Sequence, residues 1–224
     1  MNRRTLFILL VILVAGNTYS QSRPYSTFYY QRATLFEKLP INSKDIVFLG
    51  NSITNGGEWC ELLKNPNVKN RGISGDGYKG IYDRLEPIIS GKPSKIFLLI
   101  GINDLSGGKS ADSIVNGISK IIRKIKINTP RTKIYVQSIL PVNDCFGMFV
   151  NHTKHWQEIK PLNQKIQDLS KKEKVIYIDL YSHFVQSNTE KIDTLYTNDG
   201  LHLLGEGYVK WIEIIKPYLF DKKK

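Results

Sequence analysis

The chain alternates between short, mostly apolar runs and longer stretches in which apolar residues recur at helical spacing. A short apolar run that ends at a glycine or a polar turn is typical of a strand buried on both faces of a sheet. Gly50 and Gly101 end two of these runs. The pattern predicts strands over 46–49, 95–100, 133–139 and 175–178, with a short edge strand over 68–70.

Four stretches between and after these runs have the spacing of helices. They cover 78–89, 110–127, 155–172 and 206–219, and residues 21–44 are predicted to form an N-terminal helix or arm. Strands that alternate with helices pair in parallel through right-handed crossovers. The sequence therefore predicts an α/β fold. It is a three-layer α/β/α sandwich with a central, mainly parallel sheet of about five strands, in one domain over 21–224.

The first twenty residues have the layout of a secretory signal peptide. Arg3 and Arg4 precede an apolar run over 6–15, and Thr18 and Ser20 are small residues at the positions that a signal peptidase reads. A membrane anchor is the alternative, but this run is about half of the ~20 residues that a spanning helix needs. We expect cleavage before Gln21, a secreted or periplasmic protein, and no stable membrane insertion after cleavage.

The net charge of +12 does not by itself indicate a nucleic-acid-binding protein. The lysines are scattered over predicted helix surfaces, and no nucleic-acid-binding motif accompanies them. We therefore expect no nucleic acid as a partner. The basic surface is either simply solvated or attracts an anionic substrate or polymer.

The chain contains two cysteines and a closely spaced pair of histidines. Cys60 and Cys145 either form a disulfide or remain two unpaired thiols. His152 and His155 form an H-x-x-H pair with too few ligands for zinc, so we interpret them as surface histidines. No metal and no cofactor are expected.

A serine and a glycine-rich segment follow the first two predicted strands. Ligands of open parallel sheets bind at the carboxyl ends of the strands, so these positions are candidates for a site. Ser52, in Gly-Asn-Ser-Ile-Thr, would present its hydroxyl there, or it would only cap the next helix. Gly72, in the segment 70–77, would offer a backbone N–H to an oxyanion, or the segment would be a loop without a role.

Asn103 and Asp104 follow the strand predicted over 95–100. A neutral asparagine amide supplies an N–H donor without a competing charge, as an oxyanion site requires. Either residue could instead form a turn or cap a helix, and for Asp104 this alternative stays open even if Asn103 is functional.

Asp199 and His202 stand three positions apart just before the last predicted helix. On a turn, the carboxylate could bind one imidazole nitrogen and leave the other free for a serine hydroxyl. The alternatives are an Asp-Gly turn and an incidental surface histidine. His183 is a weaker candidate base, because no acid stands at the corresponding spacing before it.

Four segments in this order resemble the sequence blocks of the SGNH (GDSL-type) hydrolases: G-N-S-I-T, N-R-G-I-S-G-D, G-I-N-D-L and D-G-L-H. The resemblance runs from about 45 to 219 and is nearest the platelet-activating-factor acetylhydrolase-like and sialate O-acetylesterase-like members. It implies a flavodoxin-like fold. It also implies Ser52 as nucleophile, His202 as base oriented by Asp199, and an oxyanion hole of Ser52, Gly72 and Asn103.

The resemblance implies a serine esterase, and residues 1–20 make it a secreted one. The short loops and the basic surface favour an O-acetylesterase of acetylated sugars, such as sialic acid or a polysaccharide. The alternatives are a lysophospholipase or thioesterase, and a non-catalytic carbohydrate-binding relative. Asn51 stands where the family commonly has aspartate, which is not the triad acid. We predict that Asn51, Asp104 and Asn143 contact the substrate, with Asn143 in a segment over 141–156 that could reach over the site.

Overall fold

The computed structural model describes residues 24–219. The signal peptide predicted over 1–20 lies outside these residues. The five strands are β1 (Ile46–Gly50), β2 (Val68–Gly72), β3 (Lys95–Leu99), β4 (Lys133–Gln137) and β5 (Ile176–Ile178). The helices are α1 (Thr27–Lys38), α2 (Ser52–Asn55), α3 (Trp59–Leu62), α4 (Tyr78–Asp83), α5 (Glu86–Ile89), α6 (Ile102–Ser106), α7 (Ala111–Asn128), α8 (Val150–Thr153), α9 (Trp156–Lys172), α10 (Tyr181–Phe184) and α11 (Gly205–Leu219).

The five strands form one parallel sheet in the order β2-β1-β3-β4-β5. The chain runs from β1 outward to β2 and then crosses back to β3. The right-handed crossovers that are usual between parallel strands place helices on both faces after such a reversal. Strands β1 and β3 are buried along their whole length, as their apolar runs require. The predicted three-layer α/β/α sandwich is confirmed.

Aromatic rings join the sheet to the helices on one face. Phe48, Phe97 and Tyr135 stack across three neighbouring strands, with centroid separations of 5.0 and 4.5 Å. Trp59 of α3 stacks on Phe48 at 4.2 Å, and Trp211 of α11 meets Trp59 edge-on at 4.8 Å. The other face packs on the isoleucines of α7 and on α9. These layers fix α11, and hence the turn before it, relative to β1.

The helix predicted over 78–89 is wrong as a single element. It divides into α4 and α5 at Arg84 and Leu85. Pro87 has no N–H to donate to the carbonyl of Asp83, so the hydrogen-bond ladder cannot continue through this point. Arg84 is buried, and its guanidinium reaches Asp76 and the carbonyl of Gly50.

The structure also describes the N-terminal arm, the two cysteines and the length of the helices. The N-terminal arm contains α1, which Ser26 caps by accepting a hydrogen bond from the Tyr29 N–H at 3.1 Å. Cys60 and Cys145 are both exposed free thiols, in agreement with the unpaired alternative. Within 24–219, every helix is too short or too polar to cross a membrane.

Candidate active site

The order of the strands brings three of the sequence segments to one edge of the sheet. Ser52 follows β1, the glycine-rich segment follows β2, and Asn103 follows β3. Because β1 lies between β2 and β3, the serine stands between its two predicted neighbours. The carboxyl edge of a parallel sheet is where ligands of such folds bind.

Ser52 begins the short helix α2, and Asn51 fixes the turn that leads into it. The Asn51 side-chain oxygen accepts a hydrogen bond from the Ile53 N–H at 3.0 Å, and Asn51 is fully buried. This cap leaves Ser52 partly exposed, and its N–H, at the first position of α2, has no acceptor within the helix. Asn51 therefore positions the serine turn and does not make the predicted contact with substrate, because its side chain does not reach the surface.

Asp199, His202 and Ser52 form a continuous chain of hydrogen bonds. His202 Nε2 lies 3.0 Å from Ser52 Oγ, and His202 Nδ1 lies 2.7 Å from Asp199 Oδ2. The turn that carries His202 is held over Ser52 by α11, whose Tyr208 hydroxyl donates to the Ile53 carbonyl at 2.9 Å. His183, the weaker candidate base, is exposed in α10.

The surroundings of Asp199 favour its ionised form. Its Oδ1 accepts hydrogen bonds from the backbone N–H groups of Leu201 and His202 at 2.8 and 2.7 Å. Burial alone raises the pKa of Asp199, but these donors and the His202 ring outweigh burial and leave the pKa below its ordinary value. Gly200, at φ +83°, permits the sharp turn between the two residues. A charged carboxylate thus fixes one nitrogen of His202.

The side-chain amide of Asn103 is held at both ends. Nδ2 donates to the backbone carbonyl of Asp76 at 2.8 Å, and Oδ1 lies 3.0 Å from His152 Nε2. The loop that contains Asp76 is itself anchored by a buried ion pair with Arg84 at 2.8 Å. An amide nitrogen carries two protons. The second Nδ2 proton has no acceptor among residues 24–219 and is left for a ligand.

The structure contradicts the choice of Gly72 as an oxyanion donor. Its N–H donates to Asn70 Oδ1 at 2.8 Å and is therefore already used. Gly75, three positions later, has φ +78°, a conformation that favours glycine, and its N–H meets no acceptor in the described part of the chain. Gly75 also lines the same cavity as Asn103. Within the predicted segment, Gly75 therefore replaces Gly72 as the candidate donor.

Asp104 borders this cavity, yet its carboxylate is used within the protein. Its two oxygens lie 3.3 and 3.1 Å from the Tyr78 N–H, so Asp104 satisfies the first turn of α4. The residue is only 9% exposed. The predicted contact of Asp104 with substrate is therefore replaced by the capping alternative that the sequence left open.

Asp104 makes stability depend on pH. Burial raises its pKa from 3.8 to about 6, although the Tyr78 N–H acts in the opposite direction. The folded state then binds a proton at Asp104 more tightly than the unfolded chain does. The bound proton stabilises the fold fully below about pH 4, and this stabilisation is lost as the pH rises towards 6. Asp104→Asn keeps an acceptor for Tyr78. Between pH 4 and pH 7, we expect the free energy of unfolding of Asp104→Asn to rise by up to about 3 kcal/mol relative to that of wild type.

Denaturant titrations of wild type and Asp104→Asn at several pH values measure this difference. Asp168→Asn is a suitable control, since the Asp168 side chain is 62% exposed. A stability difference between wild type and Asp104→Asn that does not change with pH would contradict the raised pKa.

Asn143 is buried where the segment 141–156 meets the turn of Asp199 and His202. Its side-chain oxygen accepts from the Cys145 N–H, and its Nδ2 donates to the Ile192 carbonyl, both at 3.0 Å. Its own N–H donates to the carbonyl of Gly200 at 2.8 Å. Asn143 thus stabilises two loops, and because it is only 4% exposed it does not make the predicted contact with substrate.

The same segment brings Phe149 and His152 to the site. The Phe149 ring meets the His202 ring edge-on, with centroids 4.9 Å apart. His152 is half-buried against Asn103, whereas His155 pairs with Glu158 at 2.6 Å. The interpretation of both histidines as surface residues is therefore wrong for His152. Its contact with Asn103 spans 49 positions, and no local pattern in the sequence indicates it.

A cavity of about 310 Å³ opens beside Asn103 and Gly75. Tyr25, Lys79 and Lys109 lie on its walls, so the segment before α1 takes part in it. The described residues that line it include no leucine, isoleucine, valine, phenylalanine or methionine. The carboxylates of Asp76 and Asp104 also line it, and Lys79 is paired with Asp83 at 2.8 Å. The cavity is therefore suited to a small polar ligand.

Several known proteins are similar to this chain in sequence or in structure. Subunit alpha2 of human platelet-activating factor acetylhydrolase IB is 30% identical over 180 residues, which cover 77% of this chain and 73% of that protein. A Streptococcus pneumonia protein solved under the name of platelet activating factor has a TM-score of 0.79 at 27% identity, covering 86% of this chain and 93% of its own. A GDSL-like lipase from Bacteroides thetaiotaomicron has a TM-score of 0.73 at 27% identity, with 85% and 96% covered.

The family assignment rests on most of the chain. The model of the GDSL-like Lipase/Acylhydrolase family matches residues 48–210, a range that includes the Ser52 turn, Asn103 and the Asp199–His202 pair. The resemblance found in the sequence is thereby confirmed. This protein belongs to the GDSL-like lipase/acylhydrolase family, whose members hydrolyse acyl esters.

Proposed function

We propose that this protein is a secreted serine O-acetylesterase that acts through an acyl-enzyme on Ser52. The observation that carries the proposal is the chain of hydrogen bonds from Ser52 Oγ through His202 to Asp199, at 3.0 and 2.7 Å. A nucleophile, a base and an orienting acid in hydrogen-bond contact are the arrangement that acyl transfer requires. A protein that only binds a carbohydrate needs no such chain.

The proposed reaction has two steps. His202 Nε2 takes the proton of Ser52 as Oγ attacks the ester carbonyl, and the alcohol leaves with that proton as the acyl–oxygen bond breaks. A water molecule then gives its proton to His202 and attacks the acyl-enzyme, which releases the acid and returns the proton to Ser52. Asp199 holds the imidazole in the required tautomer and stabilises its protonated form.

The negative charge on the carbonyl oxygen of each tetrahedral intermediate requires donors that are already in place. Three groups are candidates for this role: the N–H of Ser52, the N–H of Gly75 and the second Nδ2 proton of Asn103. They come from the segments that follow β1, β2 and β3. The rigid sheet thus sets the spacing of the donors.

Several observations support a short acyl group on a polar alcohol. The human relative is by name an acetylhydrolase. The Phe149 ring, 4.9 Å from that of His202, restricts the space above the triad. The neighbouring cavity, with Tyr25, Asp104 and Lys109 on its walls, is suited to a polar alcohol such as a sugar. The signal-like residues 1–20 support secretion.

A lipolytic activity is the second candidate, and one surface feature favours it. Met148, Phe149 and Val150 are consecutive apolar residues that are 49%, 42% and 59% exposed, next to His202. Exposed apolar patches of this kind mark binding sites for apolar ligands or surfaces. A lysophospholipase or thioesterase would place its acyl chain along this patch.

The length of the preferred acyl chain distinguishes the two candidates. We expect kcat/KM for p-nitrophenyl esters to be highest for acetate and to fall about tenfold or more for octanoate, because the longer chain meets Phe149. Acetylated sialic acid and acetylated xylan then test the alcohol. Hydrolysis that becomes faster with chain length would favour the lipolytic candidate, and Phe149→Ala should shift the preference towards longer chains.

A further inference from the structure

His152 makes a hydrogen bond that the proposed mechanism does not yet use. Its Nε2 lies 3.0 Å from Oδ1 of Asn103, and the contact is partly buried. An amide oxygen only accepts hydrogen bonds, so the Nε2 of His152 carries the proton. His152 is thus a donor to the acceptor end of the side chain whose other end is the proposed oxyanion donor.

Two contacts together select one orientation of the Asn103 amide. If the amide turned over, its oxygen would face the carbonyl of Asp76, and its nitrogen would face the proton on His152. Acceptor would then meet acceptor, and donor would meet donor. The observed orientation satisfies both partners and leaves the second Nδ2 proton for the substrate. A bond to the oxygen also polarises the amide and strengthens its N–H donors.

The position of His152 is fixed by its own segment. It lies in the short helix α8, and Phe149 just before this helix packs edge-on against both His152 and His202, with centroids 6.1 and 4.9 Å away. Burial lowers the pKa of His152, and the charges of His202 and His155 lower it further. The neutral ring with its proton on Nε2 is therefore the form that faces Asn103 near neutral pH.

We infer that His152 is a positioning residue for the oxyanion hole, holding the Asn103 amide so that Nδ2 faces the carbonyl oxygen of the substrate. This inference rests on the proposed function. It assigns to the segment 141–156 a part in stabilising the transition state, in addition to its contact with His202. The contact also connects the loop after β4 to the loop after β3, which are neighbours in the sheet.

A double-mutant cycle with Asn103 tests the inference, with hydrolysis of p-nitrophenyl acetate as the readout. Asn103→Ala should lower kcat about 10²-fold, the effect of losing one oxyanion donor. His152→Ala should lower kcat about tenfold and change KM less than about twofold, because the loss falls on the transition state. In the Asn103→Ala background, His152→Ala should have almost no further effect.

Two further variants separate positioning from folding. His152→Gln offers an N–H donor from a side chain of similar length and should recover most of the lost kcat. His155→Ala changes the neighbouring histidine, which pairs with the exposed Glu158, and should leave kcat unchanged. If His152→Ala does not fold, His152→Gln and His152→Phe give the same comparison, since Phe fills the space but cannot donate.

Two outcomes would count against the positioning role of His152, and they can be told apart. Equal losses from His152→Ala with and without Asn103, or a loss confined to KM, would overturn the positioning role while the esterase mechanism stands. Equal hydrolysis by wild type and by Ser52→Ala would overturn the proposed function and this inference together.

Discussion

Replacing Ser52 by alanine is expected to reduce ester hydrolysis to the background of the buffer, a loss of about 10⁴-fold or more in kcat. Without Oγ there is no atom to form the acyl-enzyme, and His202 loses the hydroxyl that lies 3.0 Å from its Nε2. The alanine side chain fits where the serine was, so the folded structure should persist. Rates with p-nitrophenyl acetate and thermal melts of both proteins measure the two effects.

The control for this experiment is a serine outside the site. Ser182 is exposed in α10, and Ser182→Ala should keep wild-type activity. A fluorophosphonate should label wild type at Ser52, and peptide mass spectrometry should find no label in Ser52→Ala. Equal hydrolysis by wild type and Ser52→Ala would refute the assignment of the nucleophile.

Asp199→Asn is expected to lower kcat about 10⁴-fold with little change in KM. The asparagine oxygen can still accept the N–H groups of Leu201 and His202, so the turn should remain folded. Its amide nitrogen would then face His202 Nδ1 as a donor. The imidazole proton would move to Nε2, and a protonated Nε2 cannot take the proton of Ser52.

Asp193→Asn is the matched control for this variant. Asp193 lies in the same stretch before α11 and accepts the Leu195 N–H at 2.9 Å within its own turn. We expect it to keep wild-type kcat. A similar kcat for Asp199→Asn and wild type would show that His202 does not depend on Asp199 for its tautomer.

The pKa of Asp199 is lowered from its ordinary value, so its carboxylate is ionised throughout these measurements. Since the carboxylate stays charged below the usual range of aspartate, it does not titrate where esterase rates are measured. The loss in Asp199→Asn should therefore persist across neutral pH. It should not be recovered simply by raising the pH.

Much of this fold could be predicted from the sequence, because its strands and helices depend on local patterns. Each strand is a short apolar run, and the carboxyl ends of parallel strands meet at one edge. The Asp199–His202 pair was readable for the same reason, since both partners lie in one turn. The short helix α5 was not readable as a separate element from apolar spacing, but Pro87 was the local signal for the break.

In the candidate site, the roles of several polar residues cannot be predicted from the local sequence pattern. Gly72 and Gly75 both lie in the glycine-rich segment, but which N–H is free depends on the Asn70 side chain, which takes the first of them. Asn51, Asp104 and Asn143 are polar residues near the site, a pattern that favours substrate contact. The tertiary structure instead uses their side chains to cap α2, to cap α4 and to join two loops.

The sequence alone predicts the strand-and-helix alternation, the turn that carries Ser52 and the contact of Asp199 with His202, because neighbours along the chain create each of these features. Two features appear only in the folded protein: the Gly72 N–H has an acceptor while that of Gly75 has none among residues 24–219, and His152 reaches Asn103 from 49 positions away. The physical reason is competition for hydrogen bonds. Most buried donors and acceptors of a protein find a partner within the fold, and the order of the strands decides which groups meet and which remain free for a substrate.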